Sequence, residues 1–233
     1  MQPPALPSPA APVFRAVADC AVLAEFGSQI EAPAHDAVLR LDEALRRKPF
    51  NGLLETVPAY VNLLVTFDPL QTDHDAVEQH LRGLLRASVR SAGKRMQREV
   101  LVCYEDELAP DLDAVVQRTG LSREAVISAH LGGHYQVFMY GFAPGYAYLG
   151  SVPEAIRLER KPAPVRGLRA GSVMIAGPQC LVSTLVMPTG WWVIGASPTR
   201  ILAPEAPRPF LFDVGDEVVF RRISRAAYDA ALP

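Results

Sequence analysis

Residues 171–195 read GSVMIAGPQCLVSTLVMPTGWWVIG. The apolar runs VMIA, CLV, LVM and WWVI are each cut by Gly, Pro, Ser or Thr before they reach helical length. That rhythm predicts short strands joined by tight turns, in a compact β-barrel or sandwich. It resumes in PFLFDVGDEVVFRRI, residues 209–223, and is already present upstream in YQVFMYGF, residues 135–142.

Between residues 105 and 134 the period changes. DLDAVVQRTG is helix-sized and ends at Gly120. Ser122 is placed to N-cap a second helix, REAVISAHL, which Gly132 and Gly133 terminate.

The first hundred residues have another texture. PVFRAVADCAVLAEFG reads as two short strands joined near Ala18 and Asp19. HDAVLRLDEALRRKP places Val38, Leu41 and Leu45 at helical spacing, with Pro49 after its end. LLETVPAYVNLLVTFDP supplies strand material bent at Pro58 and stopped at Asp68 and Pro69. A second amphipathic helix carries Val77, Leu81, Leu84 and Leu85, and QREVLVCY reads as a buried strand. The order β-β-α-β-α-β predicts an α+β sandwich of ferredoxin-like type. The chain then divides into a mobile Pro/Ala-rich tail over 1–12, an α+β domain over 13–94 and a barrel domain over 95–225, with the boundary near Gly93 and Lys94.

The 233 residues suffice for one large or two small cores, and 49% of them are apolar. A formal charge of −2 with mixed signs offers neither a nucleic-acid footprint nor a membrane-surface patch. Cys20, Cys103 and Cys180 are odd in number, far apart and set among apolar residues. They read as reduced packing thiols in a cytoplasmic protein, without metal-ligand spacing. The start, MQPPALPSPAAP, lacks the layout of a secretory signal, and no apolar run has the length of a membrane span.

Phosphate-loop, dinucleotide, serine-elbow and zinc-protease signatures are missing. The polar candidates gather instead around GFAPGYAYLG, residues 141–150. There Gly141 and Gly145 permit unusual backbone angles, Pro144 stiffens the turn, and Phe142, Tyr146 and Tyr148 project from it. Such a loop is either an aromatic mini-core closing a barrel end or one wall of a pocket. His130 and His134 precede it, and a histidine near a helix C-terminus also serves a local structural role. Downstream, ERKPAPVRGLRAG packs Arg160, Lys161, Arg166 and Arg169 between prolines and glycines. That run suits an anionic ligand or a solvated basic loop. Gln179 is a lone amide among apolar neighbours, able to donate and accept.

Taken in order, His130, Tyr135, Val137, GF-x-PG-x-x-YLG, Arg160, AGSV-x-IAG-x-Q and GWW-x-IG resemble the KipI / allophanate hydrolase subunit 1 family over roughly Val13 to Ile223. That family includes the PxpB-like B component of ATP-dependent bacterial 5-oxoprolinase and is similar to part of the carboxyltransferase domain of urea carboxylase. The resemblance implies an N-terminal α/β domain followed by a cyclophilin-like β-barrel. It also implies a larger partner of the KipA type, the C component of 5-oxoprolinase, with a LamB/YcsF-type protein as a third component. The implied activity is hydrolysis of a small lactam or amide, with ATP at a site shared with the partner.

On that reading His130 serves proton transfer or phosphate contact, Arg160 and Arg166 contact an anion, and Gln179 orients a small anionic substrate. Gly141, Phe142, Pro144, Gly145, Tyr148, Gly171, Ser172, Gly190 and Trp191 shape or line the substrate and nucleotide site. Two other readings accompany it: a carboxyltransferase component using biotin on a separate carrier, and a KipI-like histidine-kinase inhibitor. The chain departs from the family pattern at three places. Arg166 falls one place late, Cys180 and Leu181 interrupt the usual Q-T-G, and Ala196 follows Gly195 where an arginine is common.

Overall fold

A computed structural model describes residues 11–87 and 95–232. The expected tail falls, up to residue 10, outside the described residues, as does the expected boundary at Gly93 and Lys94. The chain divides between Arg95 and Met96 into two compact units.

In the first unit, strands β1 (Val13–Val17), β2 (Ala21–Glu25), β3 (Leu53–Ala59) and β4 (Asn62–Phe67) form an antiparallel sheet of order β1-β2-β4-β3. Helices α1 (Ala32–Arg47) and α2 (His74–Ala87) share one core with it. Val38, Leu41 and Leu45 of α1 and Val77, Leu81 and Leu84 of α2 are buried against Leu63, Val65 and Phe67 of β4. The 3–4 spacing of those positions keeps each helix's apolar stripe on the sheet.

Two details correct the expected element order. Residues 53–67 form a hairpin, not one bent strand: the chain reverses at Tyr60, whose φ is +52. Pro58 does not break β3 because β3 is the sheet edge, where a missing amide is tolerated. The strand over 97–102, counted with the first unit, belongs to the second sheet.

That second sheet has seven strands: β5 (Gln97–Val102), β6 (Tyr135–Tyr140), β7 (Ala147–Gly150), β9 (Ser172–Ala176), β10 (Gln179–Val182), β12 (Trp192–Ala196) and β13 (Glu217–Arg222). Their order is β12-β9-β10-β7-β6-β13-β5, antiparallel throughout except for the parallel β13–β5 pair. A small hairpin-like pair, β8 (Val165–Leu168) with β11 (Met187–Thr189), stands apart from it. The two ends of the large sheet meet just beyond β5, where Cys103 and Ala196 exchange both backbone hydrogen bonds at 2.8 and 2.9 Å. The result is a nearly closed barrel of cyclophilin-like type.

Helices α3 (Leu112–Thr119) and α4 (Arg123–Leu131) pack Leu112, Val115, Val126 and Ile127 onto the main core of this unit. Their boundaries follow the sequence signals: Gly120 is left-handed at φ +71, and Ser122 Oγ accepts from the Ala125 amide. Along β9, β10 and β12, alternate residues enter two different cores. Val173, Ile175, Cys180, Val182, Trp192 and Ile194 face the main one. Met174, Ala176, Leu181 and Val193 face a second, built with Tyr146 and Trp191. Burial on both faces explains why residues 171–195 read as continuous apolar runs without polar alternation.

The seam needs glycine at 195. A Cβ there would lie 2.8 Å from Val102 Cγ1 and 3.0 Å from the Cys103 carbonyl oxygen. Gly195→Val should lower unfolding free energy by about 1–3 kcal/mol through overpacking, measured by urea denaturation. Gly177→Ala, where φ is +52 but no atom lies within 4 Å of the new Cβ, should cost about 1 kcal/mol. Equal losses for the two would contradict a tight seam.

Candidate functional site

The stretch 141–146 is the connection between β6 and β7. It is braced internally by Gly141 N to Tyr146 O, Ala143 N to Gly141 O and Tyr146 N to Ala143 O, at 2.9–3.2 Å. Gly145 has φ +75, and a Cβ there would press on Thr184 Cγ2 at 2.9 Å and Leu202 Cβ at 3.2 Å. Pro144 O accepts a 2.6 Å bond from Thr184 Oγ1, which ties the bend to the β10–β11 loop. Phe142 is left-handed at φ +71 without being glycine, and the residue is 75% exposed. That conformation costs about 1 kcal/mol or more, and the braced loop holds it. Gly141 meets chiefly the flexible end of Met139.

On one side of the bend, Tyr146 and Tyr148 join the second core. Burial pushes the Tyr146 hydroxyl up to about 12. Tyr148 packs against Trp191, ring centroids 5.9 Å apart, and the Arg160 guanidinium lies 5.6 Å from the Trp191 ring centroid. The Lys161 amide donates to Gly190 O at 2.7 Å, and Trp192 Nε1 donates to Glu159 O at 2.7 Å. Lys161 Nζ pairs with Asp111 Oδ2 at 2.5 Å, and that same oxygen accepts the Val193 amide. Residues 159–161 are thereby sewn to the start of β12, and Tyr148, Arg160, Gly190 and Trp191 form one shelf.

Most arginines of this unit are paired: Arg98 with Asp216, Arg123 with Asp106 and Asp113, Arg222 with Glu124, Arg225 with Glu107 and Asp229. Arg160 and Arg166 are exposed and carry no ion pair among the described residues. An unpaired guanidinium on a rigid aromatic face is ready to bind carboxylate or phosphate.

Other expected site residues lie elsewhere or are already engaged. Gly171, at φ +81, sits where a Cβ would strike Ser197 O at 2.4 Å, and its backbone bonds to Ser183 and Ser197. Ser172 is buried. Its hydroxyl donates to Arg169 O and its amide donates to Ser183 Oγ, so it holds a strand junction and faces no ligand. Gln179 is half-buried at the start of β10, paired with Ala176.

His130 requires a correction. It is 0% exposed, with its ring 4.5 Å from Phe220 and 5.3 Å from Tyr135. Nδ1 shares a 2.7 Å hydrogen bond with the Tyr104 hydroxyl, and Nε2 faces Cys180 Sγ at 3.6 Å. Desolvation by burial pushes its pKa down to about 3 and raises that of the Cys180 thiol. A neutral imidazole sealed in the core neither exchanges protons with substrate nor touches phosphate. The sequence could not separate this helix-end histidine from a ligand-facing one, because its surroundings come from β10 and β13.

One feature escaped the sequence reading. On the other side of the bend a cavity of about 420 Å³ is lined by Gly171, Thr184, Ser197, Thr199, Arg200 and Tyr228 among others. The polar break Ser-Pro-Thr-Arg at 197–200, directly after the apolar run of β12, is its trace in the sequence.

The cyclophilin-like barrel places the chain among carboxyltransferase-type domains. The chain belongs to the family described as carboxyltransferase domain, subdomain C and D, whose model matches residues 12–212. It is 34% identical over 226 residues to a Bacillus subtilis (strain 168) protein named as the B component of 5-oxoprolinase, covering 91% of this chain and 93% of that one. The crystal structure of TTHA0988 is similar at TM-score 0.78 and 34% identity over 91% of this chain, which spans only 40% of that solved chain's length. The Kluyveromyces lactis urea carboxylase, at 16% identity, TM-score 0.73 and 94% coverage of this chain but 22% of its own, shares the fold.

Because His130 has a pKa of about 3 when folded and titrates near 6.5 when unfolded, its contribution to stability is complete above about pH 6.5. It is lost as pH falls from there toward 3, with a slope of up to about 1.4 kcal/mol per pH unit. Urea unfolding across that range should show His130→Gln losing this part of the slope. An unchanged slope would mean that the ring titrates alike in both states.

Proposed function

We propose that this chain is the B component of a 5-oxoprolinase, one part of an enzyme that opens a small cyclic amide. The observation that carries the reading is full-length similarity: 93% of the B. subtilis relative is matched at 34% identity. The geometry agrees with a part rather than a whole. The buried imidazole and thiol described above supply no nucleophile or base to a substrate, whereas the exposed guanidiniums and rigid bend are positioning elements. The solved relative in which the matched region is 40% of a longer chain supports a further polypeptide working beside it. On this reading that polypeptide is a larger KipA-type chain, the C component, with a LamB/YcsF-type protein as the third.

ATP belongs to the same proposal. The chemistry it would supply is transfer of its γ-phosphoryl group to the amide oxygen with release of ADP, which would make the amide carbon a better electrophile. The residues here fit contact with its phosphates and not a whole nucleotide pocket. Arg160 and Arg166 are unpaired and exposed, and the bend amides of Ala143 and Tyr146 are engaged within the loop. This chain's share is therefore to hold anionic oxygens with Arg160 and Arg166 and to keep Arg160 in place on Trp191. The bend fixes the wall against which the partner closes.

Co-expression with the two partner proteins and an assay of ATP-dependent 5-oxoproline cleavage test the reading. The assembled enzyme should turn over and the chain alone should not. In the assembly, Arg160→Ala should lower kcat/KM by about ten- to a hundredfold, and Arg160→Lys should restore only part, since the planar fork is lost. Turnover that depends on biotin and a carboxylated carrier instead would replace this reading with carboxyl transfer.

A further inference from the structure

We infer that the cavity behind the bend is a binding site for a small carboxylate, held by the hydroxyls of Ser197 and Thr199 and by Arg200. Three observations converge. The cavity, about 420 Å³, is several times the volume of a five-membered ring with one carboxyl group, so such a molecule enters with water.

The second observation concerns donors. Ser197 is 4% exposed, and its Oγ accepts the Thr199 amide at 3.1 Å. Thr199 Oγ1 accepts the Leu101 amide at 3.0 Å. In both cases the bond engages a lone pair and fixes the oxygen, while the hydroxyl proton is left to donate. Two neighbouring O–H donors on one wall, both anchored by backbone, suit an acceptor-only group such as a carboxylate. Of the other hydroxyls in the lining, that of Thr184 already donates to Pro144 O and that of Ser183 to Arg169 O.

The third is charge. Arg200 lines the cavity and reaches Glu205 in an ion pair whose side chains are 61% and 60% exposed. A pair so exposed contributes little, so a ligand carboxylate can take the guanidinium from it. Tyr228, Leu202 and Leu232 give the remaining wall an apolar character fit for a short carbon skeleton and unsuited to a doubly charged phosphate. Gly171 sets the floor, since any side chain there would collide with Ser197 O. The site touches the bend through Thr184 and Leu202, which pack on Gly145.

The carboxylate class follows from these contacts alone; that the ligand is 5-oxoproline rests on the function proposed above. Calorimetry on the chain, and on the chain assembled with its two partner proteins, would use three probes: 5-oxoproline, 2-pyrrolidinone (the same ring without the carboxyl group) and inorganic phosphate. 5-Oxoproline should bind, 2-pyrrolidinone should bind at least about tenfold more weakly, and phosphate should not displace it. Arg200→Gln removes the charge at an exposed position, and Leu232→Trp narrows the mouth. Each should weaken 5-oxoproline binding by about tenfold or more with an unchanged melting temperature, and Ser197→Ala should do so if it folds. Equal binding by wild type and both surface variants, equal binding of 2-pyrrolidinone, or no binding in either preparation would overturn the inference. Turnover of 5-oxoproline with an unaltered KM in Arg200→Gln and Leu232→Trp sinks the cavity but leaves the function. Variant-sensitive carboxylate binding without turnover sinks the function but leaves the cavity.

Discussion

Two backbone hydrogen bonds between Cys103 and Ala196 join the ends of a seven-stranded sheet, and the second unit is organised around that seam. Strands β5 and β12 come from opposite ends of the sheet order, and the bridge holds them only because Gly195 lets Val102 and Cys103 approach. The bridge pairs one residue from each end of the sheet, and the Leu101 amide of β5 is taken up by Thr199 Oγ1 rather than left open to another chain. The bridge also explains Ala196. The residue is 1% exposed and packs with Cys103, Leu108 and Tyr228, leaving no space for the arginine that the family pattern often places there.

Double-sided burial of β9, β10 and β12 then divides the labour. The inner faces build the main core with α3 and α4, and the outer faces build the second core under Tyr146 and Trp191. The second core makes the bend rigid enough to hold Phe142 at a positive φ and Arg160 against an indole face. Most arginines elsewhere in the unit meet carboxylates, whereas Arg160 and Arg166, like Arg118, Arg157 and Arg169, meet none among the described residues.

His130 shows how a residue correctly placed along the chain can be wrongly placed in function. Its position at the end of α4 was legible from Ser122 and from Gly132 and Gly133. Its environment was not, because Tyr104, Phe220 and Cys180 reach it from 26, 90 and 50 residues away. Desolvation there outweighs any gain a protonated ring would draw from the helix dipole, which amounts to about 1 kcal/mol. The cavity escaped notice for a similar reason. Thr184, the stretch 197–200 and Tyr228 belong to three separate segments that share no motif and meet only in the folded barrel.

By itself the sequence determined the local elements and the class of fold. Spacing of apolar residues every three to four places marked α1 and α2, and Gly120, Ser122 and Gly132 marked the bounds of α3 and α4. Short runs cut by Gly and Pro announced the barrel, and the motif order announced the family. These signals are local, or they lie in linear order, and need no knowledge of distant neighbours. Tertiary structure alone decided that residues 53–67 turn back on themselves, that β5 pairs with β13, that His130 is sealed, and where unpaired cations and hydroxyls face open space. Those outcomes depend on which strands meet across the sheet and on what each side chain is shielded from, and pairing and desolvation are properties of the closed chain.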